Sequence, residues 1–193
     1  MIFRDAAVMD AWLCGRLRLG DLADRLASAI NRPHVEVLDF LRQGCTHLAL
    51  NPVTHALARR IRHSSLKSAL VTVNGDVFTD LIVHDQQLDS LFDVIVNSAD
   101  AGQCDKSRLW PLAFRALGRE IGYHNSLLIE DNATQIALFR DLGGVAYQYD
   151  GDTALAAWLA CPEAQRLLGA LAGPGRTVTP LPAPAPCGGY AAP

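Results

Sequence analysis

The sequence predicts an α/β protein with a doubly wound, mostly parallel sheet and a small helical subdomain on its N-terminal side. Apolar residues with helical spacing dominate the first part of the chain. Short apolar runs rich in β-branched residues then alternate with helix-like stretches, which is typical of a parallel sheet covered by helices. Hydrophobic residues make up 50% of the 193 residues, enough to bury a core of ordinary size.

The first zone, residues 5–45, is predicted to be the helical subdomain. A second helix is expected to start at Gly20-Asp21 and to stop at Asn31-Arg32-Pro33, and a third is expected from His34 to Leu41. The apolar positions that indicate these helices are Ala11, Trp12, Leu17, Leu22, Leu26 and Ile30.

The second zone, residues 46–172, is predicted to be the α/β core, with four strands that alternate with helices. The predicted strands are Ser68–Val73, Phe92–Val96, Ser126–Ile129 and Gly144–Tyr149. The predicted helices are Thr54–Ile61, Phe78–His84, Ser107–Leu117, Thr134–Leu142 and Thr153–Leu171. The last zone, residues 173–193, is rich in Pro, Ala and Gly and is expected to be a disordered tail.

Composition narrows the classes of partner. No window approaches the roughly 18 consecutive apolar residues of a membrane span, and the residues from Met1 to Asp10 do not resemble a signal peptide. The formal charge of −3 disfavours nucleic acid. We therefore expect a cytoplasmic protein without a membrane or nucleic-acid partner. The cysteines have no metal-site spacing and are expected to be reduced thiols; they are Cys14, Cys45, Cys104, Cys161 and Cys187.

Polar residues follow the predicted strands, at the edge where ligands bind in open α/β sheets. Their hydroxyl, ammonium and carboxylate groups would suit a small phosphorylated molecule and a divalent metal. Singly, Thr72 is equally explained as a strand residue, Lys106 as a solvated lysine at a helix start, and Asp131 as a helix cap. The residues concerned are Thr72 and Asn74, then Asn97, Ser98, Asp100 and Lys106, then Glu130, Asp131 and Asn132.

In their order and spacing, these segments resemble the motifs of the haloacid dehalogenase (HAD) superfamily, particularly phosphatase-like members with a small helical cap. Residues 69–75 resemble the second motif, with Thr72 as the match and Val73 where many members have Asn. Residues 91–102 followed by Lys106 resemble the third motif, although Ser107 stands where many members have Pro. Residues 127–132 resemble the fourth, metal-binding motif.

The resemblance implies a Rossmann-like core and a role for each matching residue. Thr72 and Lys106 would contact the transferring phosphoryl group, and Asn74 would be a further phosphate-binding residue. Asp131, with Glu130 as its companion, would hold Mg²⁺, but more weakly than in relatives, because the Asp of the first motif that also ligates the metal has no counterpart before Thr72. The helical zone around Gly15-Arg16-Leu17 resembles the cap, in which the candidate anion contacts are Arg16, Arg18 and Arg25.

The first motif of the superfamily, an apolar strand followed by Asp-x-Asp, has no counterpart before Thr72. In relatives its first Asp attacks phosphorus, its second is the general acid and base, and its strand lies between those ending at Thr72 and Ile129. Without that strand, exposed sheet edges would favour self-association. Asp5 and Asp10 fit exposed or helix-start acids better than nucleophiles.

Three hypotheses follow for function. The chain is an incomplete reading of a phosphatase-type hydrolase, or a catalytically inactive relative that binds a ligand or partner, or an unrelated α/β module similar to a response-regulator receiver. The late position of Glu130 and Asp131 disfavours the third hypothesis, because the receiver acids come early in the chain. A dehalogenase activity stays open within the first, although the paired acids favour metal-dependent phosphoryl chemistry. Whether the chain is an enzyme is left undecided by the sequence.

Overall fold

A computed structural model describes residues 4–46 and 48–173 of the protein, without the side chain of Thr46. The chain forms two compact units. Unit 1 comprises Met1–Leu50 and Lys67–Arg119, and unit 2 comprises Asn51–Leu66 and Glu120–Pro193. The predicted disordered tail lies outside the described residues except for Gly173.

The described part of the chain contains four strands and eleven α-helices. The strands are β1 (Ala69–Thr72), β2 (Val94–Asn97), β3 (Leu127–Glu130) and β4 (Val145–Gln148). The helices are α1 (Ala6–Leu13), α2 (Leu19–Ile30), α3 (His34–Thr46), α4 (Pro52–Arg62), α5 (Val83–Asp85), α6 (Leu88–Leu91), α7 (Ser98–Ala101), α8 (Lys106–Leu117), α9 (Ala133–Asp141), α10 (Asp152–Ala160) and α11 (Pro162–Ala172). A π-helical turn covers Phe78–Ile82, and a 3₁₀ turn covers Tyr123–Asn125.

None of the described helices is long and apolar enough to cross a membrane.

The N-terminal helices of unit 1 share one apolar core, as their periodicity predicts. Helix α2 starts at Leu19, one residue before the predicted start, and the Asp21 carboxylate accepts the backbone N–H of Arg18 at 2.7 Å. The helix ends at Ile30, and its C-cap, Asn31, takes a left-handed conformation with φ of 52°. The buried members of this core are Trp12, Leu19, Leu22, Ala23, Ala27, Val37, Leu41 and Val77. Because Val77 follows β1, the core joins the helices to the region after the first strand.

The sheet strands pair in parallel, which confirms the predicted fold class. In unit 1, β1 pairs with β2 in a register that sets Thr72 beside Asn97. In unit 2, β3 pairs with β4 in a register that sets Glu130 beside Gln148. The doubly wound sheet is therefore seen as two separate pairs, and the described residues contain no fifth strand to join them. The HAD resemblance implies such a joining strand, namely that of the first motif.

Unit 2 is held by an aromatic and aliphatic core around Tyr147, Leu155 and Trp158. The rings of Tyr147 and Trp158 stack with centroids 4.3 Å apart. The long helix predicted from Thr153 to Leu171 is wrong in one respect, because it is broken into α10 and α11 at Pro162. Proline lacks the N–H that would continue α10, but it fits the first turn of α11.

Candidate functional site

The carboxyl edge of the β1–β2 pair gathers the residues predicted to bind a phosphoryl group. Thr72 is the last residue of β1, is half-buried, and lies in register with Asn97 at the end of β2. Asn74 follows in the turn after β1, where its side-chain Oδ1 accepts the N–H of Gly75 at 3.1 Å. The edge therefore carries a hydroxyl and two amides, as the strand-end rule predicts.

Two buried residues hold this edge in place. Ser98 is fully buried; its Oγ accepts the N–H of Asn74 at 2.9 Å and donates to the carbonyl oxygen of Leu13 at 2.7 Å. The Asn97 amide donates to the Gly75 carbonyl oxygen at 3.0 Å and to Thr79 Oγ1 at 3.2 Å. These bonds tie the turn that presents Asn74 to the buried residues Asn97 and Ser98.

Lys106 is the first residue of α8, which packs against both β1 and β2. A helix that follows β2 and packs back along the strands begins at their carboxyl edge, so Lys106 belongs to the same edge as Thr72 and Asn74. The side chain of Lys106 is half-buried. Unit 1 thus brings the three predicted phosphoryl-binding residues to one end of its sheet.

Asp105 fixes the start of α8, directly before Lys106. Its carboxylate accepts the backbone N–H of Ser107 at 2.9 Å and the Ser107 hydroxyl at 2.6 Å. The hydroxyl bond, then the backbone bond and the charge of Arg108, hold the pKa of Asp105 below its ordinary value of 3.8. Ser107, which stands where many HAD members have Pro, therefore has a structural role in the N-terminal capping of α8.

Replacing Asp105 with alanine is expected to reduce the free energy of unfolding by about 1 kcal/mol near neutral pH, because the helix loses its cap. The folded-state pKa is lowered, so the stabilisation is present above 3.8 and disappears as the pH falls through the folded-state value. Urea unfolding between pH 7 and pH 2 measures the difference. Asp105→Ser keeps a capping oxygen and is the matched control. A difference that stays constant down to pH 2 would contradict this role of the carboxylate.

Asp76 is a buried acid of unit 1 that the sequence did not single out. Its carboxylate accepts Trp12 Nε1 at 2.8 Å and the N–H of Leu19 at 3.0 Å, and Arg18 Nε lies 3.3 Å away. The carboxylate therefore sits at the N-terminus of α2, where a negative charge is favourable. Its position shortly after the end of β1 was the one feature of the sequence that pointed to Asp76. Its partners could not be found from the sequence, because they are 57 and 64 residues away.

The predicted metal-binding acids lie in unit 2, at the carboxyl end of β3. Glu130 ends the strand, is half-buried, and accepts the N–H of Asn132 at 3.3 Å. Asp131 is exposed. The cap of α9 is Asn132, whose Oδ1 accepts the N–H of Thr134 at 2.9 Å and of Gln135 at 3.3 Å. The capping explanation of Asp131 is therefore wrong.

The oxygen donors of Asp131 and Glu130 fit Mg²⁺ in kind. This ion is held in many enzymes by one or two carboxylates, with water and substrate phosphate completing the octahedron. One oxygen of Glu130 already accepts a backbone N–H, whereas Asp131 is exposed, which favours Asp131 as the metal ligand, as the resemblance also implies.

An Asp-x-Asp sequence does occur after β4, at Asp150-Gly151-Asp152. Asp152 accepts the Tyr149 hydroxyl at 2.8 Å and the N–H of Val53 at 3.4 Å, so it ties α10 to the start of α4. The bond to this carboxylate raises the pKa of Tyr149, with burial as a second cause. Asp152 is therefore an anchoring acid rather than a nucleophile.

The five predicted site residues fall into two groups. Thr72, Asn74 and Lys106 belong to unit 1, and Glu130 and Asp131 belong to unit 2. Each group lies at the carboxyl end of a parallel strand pair, which is where the sequence places it.

Comparison with known proteins gives structural relatives only. No family model and no curated protein sequence matches the chain. A HAD family enzyme of Bacteroides thetaiotaomicron, solved as an Asp-to-Ala mutant in complex with magnesium and inorganic phosphate, is 10% identical, with a TM-score of 0.61 over 78% of this chain and 79% of that chain. A predicted HAD-like family hydrolase of Porphyromonas gingivalis is 18% identical, with a TM-score of 0.64 over 86% of this chain and 81% of that chain.

Both similarities extend over most of each chain, well beyond one βαβ unit. Because the sequence identity is low, what this chain shares with the two proteins is the fold. Together with the parallel strand pairs, they show that the chain has the HAD-like fold.

Proposed function

We propose that this protein is a HAD-like hydrolase scaffold of the phosphatase type that binds a small phosphorylated molecule together with Mg²⁺. The observation that carries the proposal is the carboxyl edge of unit 1. Thr72 ends β1, Asn74 follows in the next turn, and Lys106 begins the helix that packs on both strands, which supports a shared role for the three residues. The relative from Bacteroides thetaiotaomicron was solved with magnesium and inorganic phosphate, which supports the same class of ligand here.

Each group has a distinct part in the proposed binding. The Thr72 hydroxyl and the Lys106 ammonium would donate hydrogen bonds to phosphoryl oxygens, and the fixed turn would present Asn74 beside them. Asp131, assisted by Glu130, would hold the metal. When bound, Mg²⁺ would supply the Lewis acidity that phosphoryl chemistry of this class uses.

Binding without turnover is the alternative function. The Asp-x-Asp sequence after β4 does not decide between the two, because Asp152 is engaged in anchoring α10 and α4. Release of phosphate from an aryl phosphate, measured beside the affinity for inorganic phosphate, separates the two functions. Turnover would support the hydrolase, and tight binding without release would support the binding protein.

Asp131→Asn is expected to abolish the effect of Mg²⁺ on phosphate affinity. Isothermal titration with inorganic phosphate, with and without Mg²⁺, measures that effect directly. For the wild-type protein we expect Mg²⁺ to tighten binding at least about tenfold, which corresponds to about 1.4 kcal/mol. The variant retains the size of the side chain but loses the charged oxygen ligand, so its two affinities should coincide.

Asp141→Asn is the matched control, since Asp141 is an exposed acid at the end of α9 in the same unit. It should keep the full Mg²⁺ effect. If both variants behave like the wild-type protein, Asp131 does not hold the metal. If the wild-type protein binds no phosphate under either condition, the proposed function is wrong.

A further inference from the structure

Cys14 and Cys104 form a disulfide inside unit 1, which the sequence does not predict. Their Cα atoms are 5.3 Å apart although the residues are separated by 90 positions, within the usual range of about 4.4–6.8 Å. Cys14 is the C-cap of α1, and Cys104 lies between α7 and α8. The expectation that these thiols are reduced is therefore wrong for this pair.

The two segments also pack closely apart from the sulfur bond. Ser98 Oγ donates to the carbonyl oxygen of Leu13 at 2.7 Å. Gly15 takes a φ of +72°, and any Cβ there would overlap the carbonyl oxygen of Ala99. The native fold thus places both cysteines together, so the bond joins sulfurs that folding has already brought into reach.

The two cysteine residues differ in their exposure to solvent. Cys14 is buried, with 7% of its surface exposed, whereas Cys104 is half-buried. Cys14 Sγ lies 3.6 Å from Oδ1 of Asp10, an exposed acid that pairs with Arg16. An incoming thiolate therefore reaches Cys104, the more exposed residue, before it reaches Cys14. Once the disulfide is cleaved, the carboxylate of Asp10 can accept a hydrogen bond from the Cys14 thiol.

We propose that Cys14–Cys104 is a reversible disulfide that opens by exchange at Cys104 with a thiol of the glutathione class. The thiolate attacks Cys104 Sγ, the S–S bond breaks, and Cys14 leaves as a thiolate that takes a proton from water. A second glutathione thiolate then attacks the glutathione sulfur of the mixed disulfide and releases Cys104. Two glutathione molecules are oxidised to one glutathione disulfide, and one protein disulfide is reduced to two thiols. Disulfides of cytoplasmic proteins are usually transient or redox-sensing, which agrees with the predicted location.

The exchange has a consequence for the phosphoryl edge, which rests on the proposed function. Cys104 is two residues before Lys106, and the α8 cap Asp105 lies between them. Reduction removes the covalent link between this short segment and α1, while the contacts of Leu13 and Gly15 with α7 remain, so Lys106 gains a limited conformational freedom. Binding of a phosphoryl group must then restrict that freedom again, so the affinity falls. We expect phosphate to bind about fivefold more weakly to the reduced protein, at the low end of typical coupling between sites.

The exchange itself is tested on the full-length protein by equilibration with glutathione buffers of graded redox potential, followed by alkylation and peptide mass spectrometry. We expect Cys14 and Cys104 to become alkylated together, and full reversal on return to oxidising buffer. Cys45 and Cys161 are the free cysteines of the described residues and supply an internal reference. Burial raises the pKa of the Cys45 thiol, which should therefore label slowly.

Single variants test the direction of attack. With glutathione disulfide, Cys14→Ser should accumulate glutathione on Cys104, whereas Cys104→Ser should leave Cys14 largely unmodified. Cys161→Ser is the control, because serine is a good cap for α11 and the Cys14–Cys104 pair stays intact. Equal modification of both cysteines, or a disulfide that no glutathione buffer reduces, would overturn the proposal.

A bound metal is the competing explanation of the pair. The ligand atoms of Asp10, Cys14 and Cys104 lie within 4.8 Å of one another. If the reduced protein carries one equivalent of zinc that blocks alkylation of both cysteines, the site is a metal site and the proposal is wrong.

Phosphate titrations of the oxidised and reduced protein test the coupling to Lys106. Equal affinities would overturn the coupling, whereas no binding in either state would overturn the proposed function and leave the alkylation result to decide the exchange.

Discussion

Asp76→Ala is expected to lower the stability of unit 1 by about 3–5 kcal/mol, because it breaks a buried, charged hydrogen-bond network. The variant takes away the acceptor that Trp12 Nε1 and the Leu19 N–H share, and it removes the negative charge at the N-terminus of α2. The ion pair with Arg18 adds less, since that side chain is 65% exposed. Hydrogen exchange of the α1 and α2 amides measures the loss within unit 1.

Asp80→Ala is the matched control for this prediction. Asp80 is an exposed acid that also pairs with Arg18, at 2.7 Å, so the variant removes the same kind of charge without a buried network. Its expected cost is about 0–1 kcal/mol. If the two variants lose similar amounts of stability, the Asp76 carboxylate is not what holds the N-terminal helices to the region after β1.

Leu155→Ala is expected to destabilise unit 2 by about 2–5 kcal/mol, because it opens a cavity at a fully buried position of the core. Leu155 has none of its surface exposed and packs with Tyr147, Trp158 and Leu167. Urea unfolding followed through tryptophan fluorescence should report the loss, since Trp158 lies in the same cluster.

The control for the second prediction is Leu142→Ala, which removes the same side chain from a position that is 43% exposed. Its cost should stay within about 0.5 kcal/mol. Hydrogen exchange should show the Leu155→Ala loss first in the amides of β4 and α10. A loss confined to the amides of unit 1 would contradict the assignment of Leu155 to the unit 2 core.

The elements of the fold were predictable from local patterns. All four strands appear within two residues of their predicted bounds, because each is a short apolar run closed by turn residues. The helix α8 starts one residue before its predicted start. The break at Pro162 was readable as well, since proline seldom continues a helix. The pairing of strands into two sheets depends on hydrogen bonds between distant segments, which no local pattern encodes.

For the candidate site, local patterns predicted the positions of residues at strand ends but not the contacts between distant segments. The strand-end rule found Thr72, Asn74 and Lys106 at one edge of unit 1, because parallel strands place their carboxyl ends together. It could not find the Asp76 network or the Cys14–Cys104 bond. Those depend on contacts between residues 57 to 90 positions apart, and such contacts follow from the folded packing rather than from the spacing of residue types.

The division of the chain into interleaved segments bears on the order in which it can fold during synthesis. Unit 2 takes α4 from residues 51–66, but the elements that cover α4 come only after residue 120. Val53 donates to Asp152, which the ribosome adds 99 residues later. The apolar face of α4 therefore stays uncovered while the second segment of unit 1, Lys67–Arg119, is synthesised. At a synthesis rate of about 5–20 residues per second, the interval from Val53 to Asp152 lasts about 5–20 seconds, during which α4 is exposed to association with other chains.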